Sequence, residues 1–333
     1  MSVELCEQTF APNSYQVLRV PVALLADGTR LELTVHVHTG REPGENVGIV
    51  ATHHGDEVFT VELLRRIHDS VAGKVIRGAV VIVPVLNPVA FGWGTRHTPL
   101  DMQNLNRLFP GNPDGWLTEI LADRIAHTIL PGLDVLLDYQ AGDANDSVYY
   151  TYTEAPTDPV SAKVHELAQL TEATILWETK PTPGNLRGCA RAMGIAAVEP
   201  EIGGSTTINE EWLRRGVRGC LNVLRHLGVL EGVPDVTPPE HVVREAIELR
   251  PHVGGLWVPE VGRETLGQTV PGGTVLARVV SPYTFEELEV LHAPYPTTGL
   301  LMVRDRMSKV QPGDYAYILG RVEGDAPRDV GQG

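Results

Sequence analysis

Hydrophobic and polar residues alternate well over residues 18–38, for example in Leu31-Glu32-Leu33-Thr34-Val35-His36-Val37-His38. Alternation with a period of two predicts strands with one buried face, and Asp27-Gly28 supplies a turn between them. We therefore expect an antiparallel hairpin at the edge of a sheet. His36 and His38 would share one face of its second strand. Their spacing can bind a metal, but the exposed polar face of an edge strand is the favoured interpretation.

Beyond this hairpin, apolar runs of strand length alternate with segments of helical periodicity. This order is typical of a mixed, largely parallel sheet flanked by helices, so we predict the α/β fold class. The predicted strands are 47–52, 79–86, 134–138, 147–152, 173–177 and 195–199, and the predicted helices are 57–70, 117–130, 161–170, near 185–193, and 208–227.

The pattern changes after Gly228. Residues 231–240 combine three prolines with acidic residues, which is typical of a connecting loop. Short apolar stretches separated by glycine and proline follow, and they predict a smaller all-β region. We expect a first domain over residues 1–235, a β-rich C-terminal domain over 240–322 and a disordered tail over 323–333.

The composition is that of an ordinary globular protein, with 333 residues of which 42% are hydrophobic and 21% are charged. A formal net charge of −15 argues against nucleic acid or an anionic membrane surface as the main partner. No leader pattern and no apolar run of membrane-spanning length is present. The three cysteines are widely spaced and are most simply buried thiols. These features favour a cytoplasmic protein.

A histidine and a glutamate three residues apart, His54 and Glu57, follow the apolar run 47–51 and precede a segment of helical periodicity. In open α/β sheets such junctions lie at the carboxyl edge, where ligands bind. An imidazole nitrogen and a carboxylate suit zinc or a related divalent ion. Because such pairs often arise by chance, this one gains meaning only from other segments at the same edge.

Three further segments place polar residues directly after apolar strands. Residues 96–111 form a long polar loop in which Asn106 and Arg107 can bind a substrate carboxylate, unless Arg107 instead pairs with a structural carboxylate such as Asp101. Residues 135–143 and 195–204 each run from an apolar strand into a polar turn. Four strand ends therefore deliver polar groups to one edge of the sheet.

The four segments together resemble the succinylglutamate desuccinylase and aspartoacylase family of the zinc carboxypeptidase superfamily, over nearly the whole chain. The family's H-G-x-E segment matches His54-Gly55-Asp56-Glu57, and its R-x-P-x-D-x-x-D-L-N-R-x-F-P-G segment matches residues 96–111. Its D-L-H and E-[LI]-G segments match Asp138-Tyr139-Gln140 and Glu201-Ile202-Gly203. The resemblance implies that residues 1–235 form a carboxypeptidase-like catalytic domain.

The resemblance also implies metal-dependent hydrolysis of an amide that joins an acyl group to an amino acid. His54, Glu57 and Gln140 would then bind one divalent metal ion. Glu201 would move the proton from the attacking water to the leaving amine. Arg96 would stabilise the developing oxyanion or hold the acyl end.

The substrate implied by the resemblance is a small molecule with a carboxylate. Asn106 and Arg107 would bind that carboxylate, and either Arg187 or Arg191 would add a contact, although a helix-surface role is equally expected for these two. The Gly-x-Leu-Arg stretch and the N-L-N-R variant look closer to bacterial deacylases of small acylated amino acids, such as N-acetyl-diaminobutyrate deacetylases. The acyl group, the amino-acid part and a homo-oligomeric state stay open.

One residue departs from the family pattern, because Gln140 stands where the third metal ligand is histidine. An amide oxygen is a weaker ligand for zinc than an imidazole nitrogen. The favoured interpretation is a metal held by His54, Glu57 and the Gln140 oxygen, with zinc expected and manganese or another oxygen-tolerant ion as the alternative. Otherwise His53 or Asp143 replaces the missing ligand, or the chain binds no metal and has become a small-carboxylate-binding protein.

Overall fold

The computed structural model describes residues 2–204 and 208–322 of the chain. Within these ranges the helices are α1 (Val58–Val71), α2 (Pro88–Trp93), α3 (Leu117–Arg124), α4 (Pro159–Ala168), α5 (Leu186–Ala192) and α6 (Glu210–His226), with a π-helical turn at Ile125–Ile129 and 3₁₀ turns at Leu105–Arg107 and Arg263–Thr265. The strands are β1 (Val3–Leu5), β2 (Gln8–Phe10), β3 (Tyr15–Leu24), β4 (Arg30–Thr39), β5 (Glu42–Ala51), β6 (Arg77–Val83), β7 (Val135–Gly142), β8 (Ser147–Thr153), β9 (Ile175–Glu178), β10 (Ala196–Gly204), β11 (His241–Val243), β12 (Ala246–Leu249), β13 (Gly255–Pro259), β14 (Thr269–Pro271), β15 (Val275–Val280), β16 (Glu287–His292), β17 (Thr297–Val303), β18 (Ser308–Val310) and β19 (Tyr317–Arg321).

A large mixed sheet forms the centre of the molecule, with the strand order β12-β19-β17-β8-β10-β7-β5-β6-β4-β3. Strands β10, β7, β5 and β6 are mutually parallel. Antiparallel strands flank them on both sides, namely β4 and β3 beyond β6, and β8 and β17 beyond β10. Because the central strands are parallel, β5, β7 and β10 bring their carboxyl ends to the same edge of the sheet.

Both faces of this sheet are covered by helices, which explains why its central strands are apolar on both sides. Helices α1, α4 and α6 pack on one face through residues such as Leu63, Leu167 and Leu213. Helices α3 and α5 pack on the other through Leu121 and Leu186. The sheet is therefore a rigid layer on which side chains at its edge can be held in place.

The predicted α/β fold class is confirmed, and so is the predicted edge hairpin. Strands β3 and β4 are antiparallel neighbours. In their turn, Gly28 adopts a φ of +83° and the Asp27 carboxylate accepts a hydrogen bond of 2.9 Å from the Thr29 amide. The helix predicted over 117–130 is present, and its second half is a π-helical turn at Ile125–Ile129. Strands β1 and β2 and helix α2 were not predicted.

The C-terminal region is rich in strands, as expected, and it contributes to two sheets. Strands β16, β15, β13 and β18 form a separate antiparallel sheet of four strands, whereas β11, β12, β14, β17 and β19 extend the large sheet. The division of the chain near residues 235–240 stays a prediction, and the predicted disordered tail 323–333 lies outside the described residues. Among the helices described here, none is both long and apolar enough to cross a bilayer.

Candidate metal and substrate site

A cavity of about 560 Å³ opens at the carboxyl edge of the parallel strands. It is lined by His54 and Glu57, which follow β5, by Gln140 at the end of β7, and by Glu201 in β10. Strands and loops of the C-terminal region close part of the rim. Their contribution to the lining consists of Glu248, Met302, Tyr315 and Ile318.

The predicted pair His54 and Glu57 lies at the inner end of the cavity, and both side chains are buried. His54 Nδ1 and Glu57 Oε1 are 2.5 Å apart. Glu57 Oε2 is also buried and has no hydrogen-bond partner. Burial raises the pKa of Glu57 to about 8, although Arg96 and His53 oppose the shift. Burial, together with Arg96, lowers the pKa of His54 well below its usual value.

The protonation of His54 follows from its second nitrogen. His54 Nε2 is 3.2 Å from Asn104 Oδ1, which also accepts a hydrogen bond from the Asn106 amide, so this Asn104 atom is the acceptor oxygen. Nε2 must therefore carry the hydrogen, and the lone pair of Nδ1 faces Glu57. A lone pair and a carboxylate oxygen at this distance need a proton or a cation between them. The pair therefore offers one nitrogen and one oxygen atom of the kind that bind zinc in proteins.

The backbone between the strand and the helix is constrained around this pair. Thr52 has a φ of +62°, which is strained for a β-branched residue, and its hydroxyl donates a hydrogen bond of 2.9 Å to the Pro84 carbonyl. At Gly55 an added Cβ would lie 1.9 Å from the carbonyl carbon of Ala90. Glycine is required there because the turn passes directly over helix α2. This close packing orients the two side chains on either side of Gly55.

Gln140 points to the same face of the sheet as the two glutamates of β10. In the parallel pairing of β7 with β10, Gln140 lies beside Glu201, and Gln140 Nε2 donates a short hydrogen bond to Glu199. Across residues 2–204 and 208–322, no group of three or more His, Cys, Asp or Glu side chains is arranged to hold a metal. Gln140 is not of these residue types, and its side chain carries an amide oxygen at this edge of the sheet.

The two alternative ligands, His53 and Asp143, are engaged elsewhere. His53 Nε2 is 2.7 Å from Asp138 Oδ1, and both side chains are fully buried. Asp143 lines the cavity, but its Oδ1 accepts a hydrogen bond of 2.8 Å from the Asn145 amide within a turn. Neither residue completes a group of three with His54 and Glu57 in the described chain. Their replacement of the third ligand is therefore not supported by their positions.

Glu201, the predicted general base, lines the cavity in a partly buried position. Burial, and next the charges of Glu199 and Glu57, raise the pKa of Glu201 well above its usual value. Glu199 is buried deeper, and its pKa is raised to about 7 by burial against the opposing charge of Arg187. A raised pKa is what a group that both accepts and returns a proton near neutral pH requires.

The long polar loop also reaches the cavity. Arg96 lies with its Nη1 atom 4.0 Å from Glu57 Oε1 and its side chain is about 40% exposed. Asn106 and Arg107 line the cavity, with Asn106 Oδ1 accepting a hydrogen bond of 2.8 Å from the Leu186 amide. Asp101 does not hold Arg107, because its carboxylate accepts hydrogen bonds from the amide and hydroxyl of Thr118. Arg107 lines the cavity, and its Nη1 atom donates a hydrogen bond of 2.7 Å to the Asn106 carbonyl.

The two arginines of helix α5 have different positions. Arg187 is buried and lines the cavity, with its Nε atom 3.3 Å from Glu199 Oε2. Arg191 is absent from the described lining and pairs with Glu154 at 3.2 Å and with Asp158 at 2.5 Å. A substrate-binding role for Arg191 is therefore not supported by its position. Arg187 lies close to the cavity but is already paired with a carboxylate.

Some cavity residues were not identified from the sequence. Glu199 is one, although its place two residues before Glu201 on the same strand puts both on one face. An aromatic wall formed by Tyr150, Tyr152 and Trp177 is another, with the Tyr152 and Trp177 rings stacked at 5.0 Å. The two tyrosines could have been identified from the alternation along β8, because residues at i and i+2 of a strand lie on the same face.

His36 and His38 lie away from this cavity, on β4. The expected exposed polar face is wrong for His38, which is only 3% exposed. Its Nε2 atom is 3.1 Å from Nδ1 of His68 on helix α1, and the ring of Tyr15 stacks on it at 4.5 Å. The hydroxyl of Tyr15 is 2.9 Å from His36 Nδ1. These four rings form a packed aromatic cluster between the hairpin and α1.

Comparison with known proteins gives consistent matches. Residues 43–227 match the family model described as the succinylglutamate desuccinylase/aspartoacylase catalytic domain. A curated relative, the N-alpha-acetyl-L-2,4-diaminobutyric acid deacetylase of Halomonas elongata, is 28% identical over 305 residues, which cover 85% of this chain and 84% of the relative.

Solved structures show the same fold. A succinylglutamate desuccinylase from a Silicibacter species is 25% identical with a TM-score of 0.81, covering 93% of this chain and 95% of that chain. The product-bound ectoine utilization protein EutE (DoeB) from Ruegeria pomeroyi is 24% identical with a TM-score of 0.82, covering 94% and 98% respectively. At this identity the second likeness establishes the fold alone.

Proposed function

Because this chain belongs to the succinylglutamate desuccinylase/aspartoacylase family, we propose that it is a metal-dependent hydrolase that cleaves the amide bond of a small N-acyl or otherwise substituted amino acid. The relative from Halomonas elongata, a deacetylase of an acetylated diamino acid, supports this class of substrate. The observation that carries the proposal is the meeting of His54, Glu57, Gln140 and Glu201 around one cavity at the carboxyl edge of the sheet.

The residues present fit a divalent ion. The lone pair of His54 Nδ1 faces Glu57 Oε1, and Glu57 Oε2 is buried without a partner, so each side chain has an atom that can bind a cation. With the Gln140 oxygen they make a set of one nitrogen and two oxygen ligands, which suits zinc and tolerates manganese. An ion bound there supplies a Lewis acid for the carbonyl group and lowers the pKa of water.

The other cavity residues supply proton transfer and substrate binding. Glu201 accepts the proton of the attacking water and returns it to the amine nitrogen as the amide bond breaks, so that the carboxylate is regenerated. Arg96, which approaches Glu57 from the exposed side, stabilises the negative charge that develops on the carbonyl oxygen. Asn106 and Arg107 bind the carboxylate of the amino-acid part, since a guanidinium matches a carboxylate in geometry and charge.

The shape of the cavity favours a small molecule over a peptide. Met302, Tyr315 and Ile318 from the C-terminal region line the same cavity as Tyr150 and Trp177. A volume of about 560 Å³ is of the size that an acylated amino acid requires. We therefore favour a hydrolase of small molecules over a carboxypeptidase that acts on long peptides.

The test is a screen of N-acyl amino acids with the metal-free protein and added Zn²⁺, Mn²⁺ or Co²⁺, in which release of the free amine is measured. We expect hydrolysis of at least one acylated amino acid that depends on the added metal, and its loss in a Glu201→Gln variant. Failure to hydrolyse any substrate with any of the three ions would contradict the proposal.

One observation favours a second candidate, a binding protein for small carboxylates without catalysis. Gln140 binds Glu199 through its amide nitrogen, and the described residues lack a third His, Cys, Asp or Glu ligand beside His54 and Glu57. Metal analysis separates the two candidates. Near-stoichiometric metal after reconstitution supports the hydrolase, whereas carboxylate binding without metal supports the binding protein.

A further inference from the structure

We propose that Glu199 is a positioning residue that orients the Gln140 amide so that its oxygen, and not its nitrogen, faces the His54–Glu57 pair. This inference rests on the proposed function, because it assigns a role to Glu199 only where Gln140 is a metal ligand. It explains how glutamine can occupy a position at which the family pattern has histidine.

The chemical requirement comes from the amide itself. A glutamine side chain ends in an oxygen and an NH₂ group of nearly the same shape, and only the oxygen has a lone pair for a metal ion. An unconstrained amide would present either end to the ion. Glutamine therefore serves as a ligand only where a neighbour fixes which end points where, as groups around metal sites fix the ring orientation of ligating histidines.

The structure contains such a neighbour. Gln140 Nε2 donates its hydrogen bond to Glu199 Oε1, and the reversed amide would bring two oxygen atoms together at this place. Because the amide is planar, its oxygen points away from Glu199. Gln140 lines the same cavity as His54 and Glu57, so this is the end of the amide that remains to face them.

The sheet places the two residues for this contact. The register aligns Gln140 with Glu201 and Leu137 with Val198, so Glu199 lies beside Asp138. Asp138 is two residues before Gln140, which makes Glu199 a diagonal neighbour of Gln140 on the same face. Long side chains reach each other across such diagonal positions. Both residues are buried, at 4% exposure each, so that water does not compete for the hydrogen bond.

Glu199 has a second contact, with the side chain of Arg187. Its second oxygen lies 3.3 Å from Arg187 Nε, and the guanidinium of Arg187 stacks over the Tyr152 ring at 4.5 Å from the ring centre. Arg187 thus lies at ion-pair distance from Oε2 without a hydrogen bond from its Nε, and Oε1 is the oxygen that Gln140 contacts. The chain from Tyr152 through Arg187 and Glu199 to Gln140 gives Arg187 a structural role in the site in place of the direct substrate contact expected from the sequence.

The test is a double-mutant cycle with metal affinity as its readout. Glu199→Gln removes the charge, and Glu199→Asp keeps the charge but withdraws the acceptor by one methylene. Each is made in the native chain and in a Gln140→His background, in which no amide needs to be oriented. Dissociation constants for Zn²⁺ and Mn²⁺ are measured by chelator competition. Glu154→Gln, which removes a buried carboxylate paired with Arg191, is the matched control.

We expect both Glu199 substitutions to weaken Zn²⁺ binding by about 10- to 100-fold in the native chain and by about twofold or less in the Gln140→His background. Glu154→Gln should leave both affinities unchanged. Equal losses in the two backgrounds would show that Glu199 affects metal binding without orienting the Gln140 amide, and no loss in the native chain would show that it does not act on Gln140. Either result overturns the positioning role.

The same measurements separate this inference from the function on which it rests. Metal binding by the native chain without any difference between the two backgrounds removes the role of Glu199 and leaves the proposed hydrolase intact. Absence of Zn²⁺ and Mn²⁺ binding by the native chain overturns both. If Glu199→Gln does not fold, as judged by thermal unfolding, Glu199→Asp carries the test because it retains the ion pair partner of Arg187.

Discussion

His53 and Asp138 form a fully buried pair directly behind the candidate site, with Nε2 and Oδ1 2.7 Å apart. The contact joins the end of β5 to β7, the two strands that carry His54 and Gln140. Burial alone would lower the pKa of His53, but the charge and hydrogen bond of Asp138 outweigh it and raise that pKa. The pair therefore forms a buried contact between the two strands beneath the cavity.

Removal of Asp138 should strongly destabilise the protein, because it leaves a buried histidine without its partner. We expect Asp138→Ala to lower the free energy of unfolding by roughly 3–5 kcal/mol, measured by urea denaturation. Asp123→Ala is the control, since Asp123 pairs with the exposed His127, and it should cost less than about 1 kcal/mol. Similar losses for the two variants would contradict the structural role of the buried pair.

Glu201→Gln should separate catalysis from metal binding. The amide cannot accept the proton of the attacking water, so kcat should fall by about 10²- to 10⁴-fold. Metal affinity should change little, because the proposed ligands are His54, Glu57 and Gln140. The measurement is steady-state kinetics beside a metal titration of the same preparation. Retention of native kcat would assign proton transfer to another group, and Glu199 would then be examined first.

Arg107→Ala should weaken substrate binding. Arg107 lines the cavity, and loss of a charge-assisted contact to a carboxylate costs about 1.5–3 kcal/mol. This predicts an increase in KM of about 10- to 100-fold with a smaller change in kcat. Arg191→Ala is the matched control, because Arg191 pairs with Glu154 and Asp158 outside the cavity. An equal effect of both substitutions would contradict the assignment.

Gly55→Ala should distort the turn that holds His54 and Glu57. The new methyl group would meet the Ala90 backbone at 1.9 Å, so the turn must shift. Overpacking of this kind costs typically about 1–3 kcal/mol, and we expect metal affinity to fall with it. Gly92→Ala provides the comparison, since no atom lies within 4 Å of a Cβ at Gly92. Thermal unfolding and metal titration of both variants check the prediction.

The parts of the site that depend on local order could be predicted from the sequence. His54 and Glu57 are three residues apart and come directly after an apolar strand. Their location at the sheet edge could therefore be inferred from the strand-to-helix pattern. The same argument placed Gln140 and Glu201, whose strands are recognisable by their apolar runs. Parallel strands then bring these ends together without any knowledge of side-chain packing.

Features that depend on contacts between distant residues could not be predicted. Arg187 and Arg191 lie one turn apart on α5, and only the packing of that helix against Glu199 or Glu154 distinguishes them. The burial of His38 likewise depends on His68, which is 30 residues away in the chain. Periodicity describes which face a residue occupies, but it does not identify the element that covers that face.

The buried His38 should make stability depend on pH. Burial, and next the neighbouring His68 and His36, lower the pKa of His38 to about 4 from an ordinary value of 6.5. Arg19 also lowers the pKa of His36 and adds positive charge on this side. Between these pH values the unfolded chain binds a proton at His38 and the folded chain does not. The stability is therefore complete above about pH 6.5 and falls as the pH decreases toward 4.

A shift of this size corresponds to up to about 3 kcal/mol at 1.36 kcal/mol per pH unit. Urea unfolding between pH 4 and pH 7 should show the decrease in the native protein, and His38→Gln should reduce its slope by up to one proton because glutamine does not titrate. His127→Gln, which removes an exposed histidine, should leave the slope nearly unchanged. If His38→Gln retains the native slope, the loss of stability in acid comes from other groups, and the cluster of Tyr15, His36, His38 and His68 tolerates a positive charge at His38.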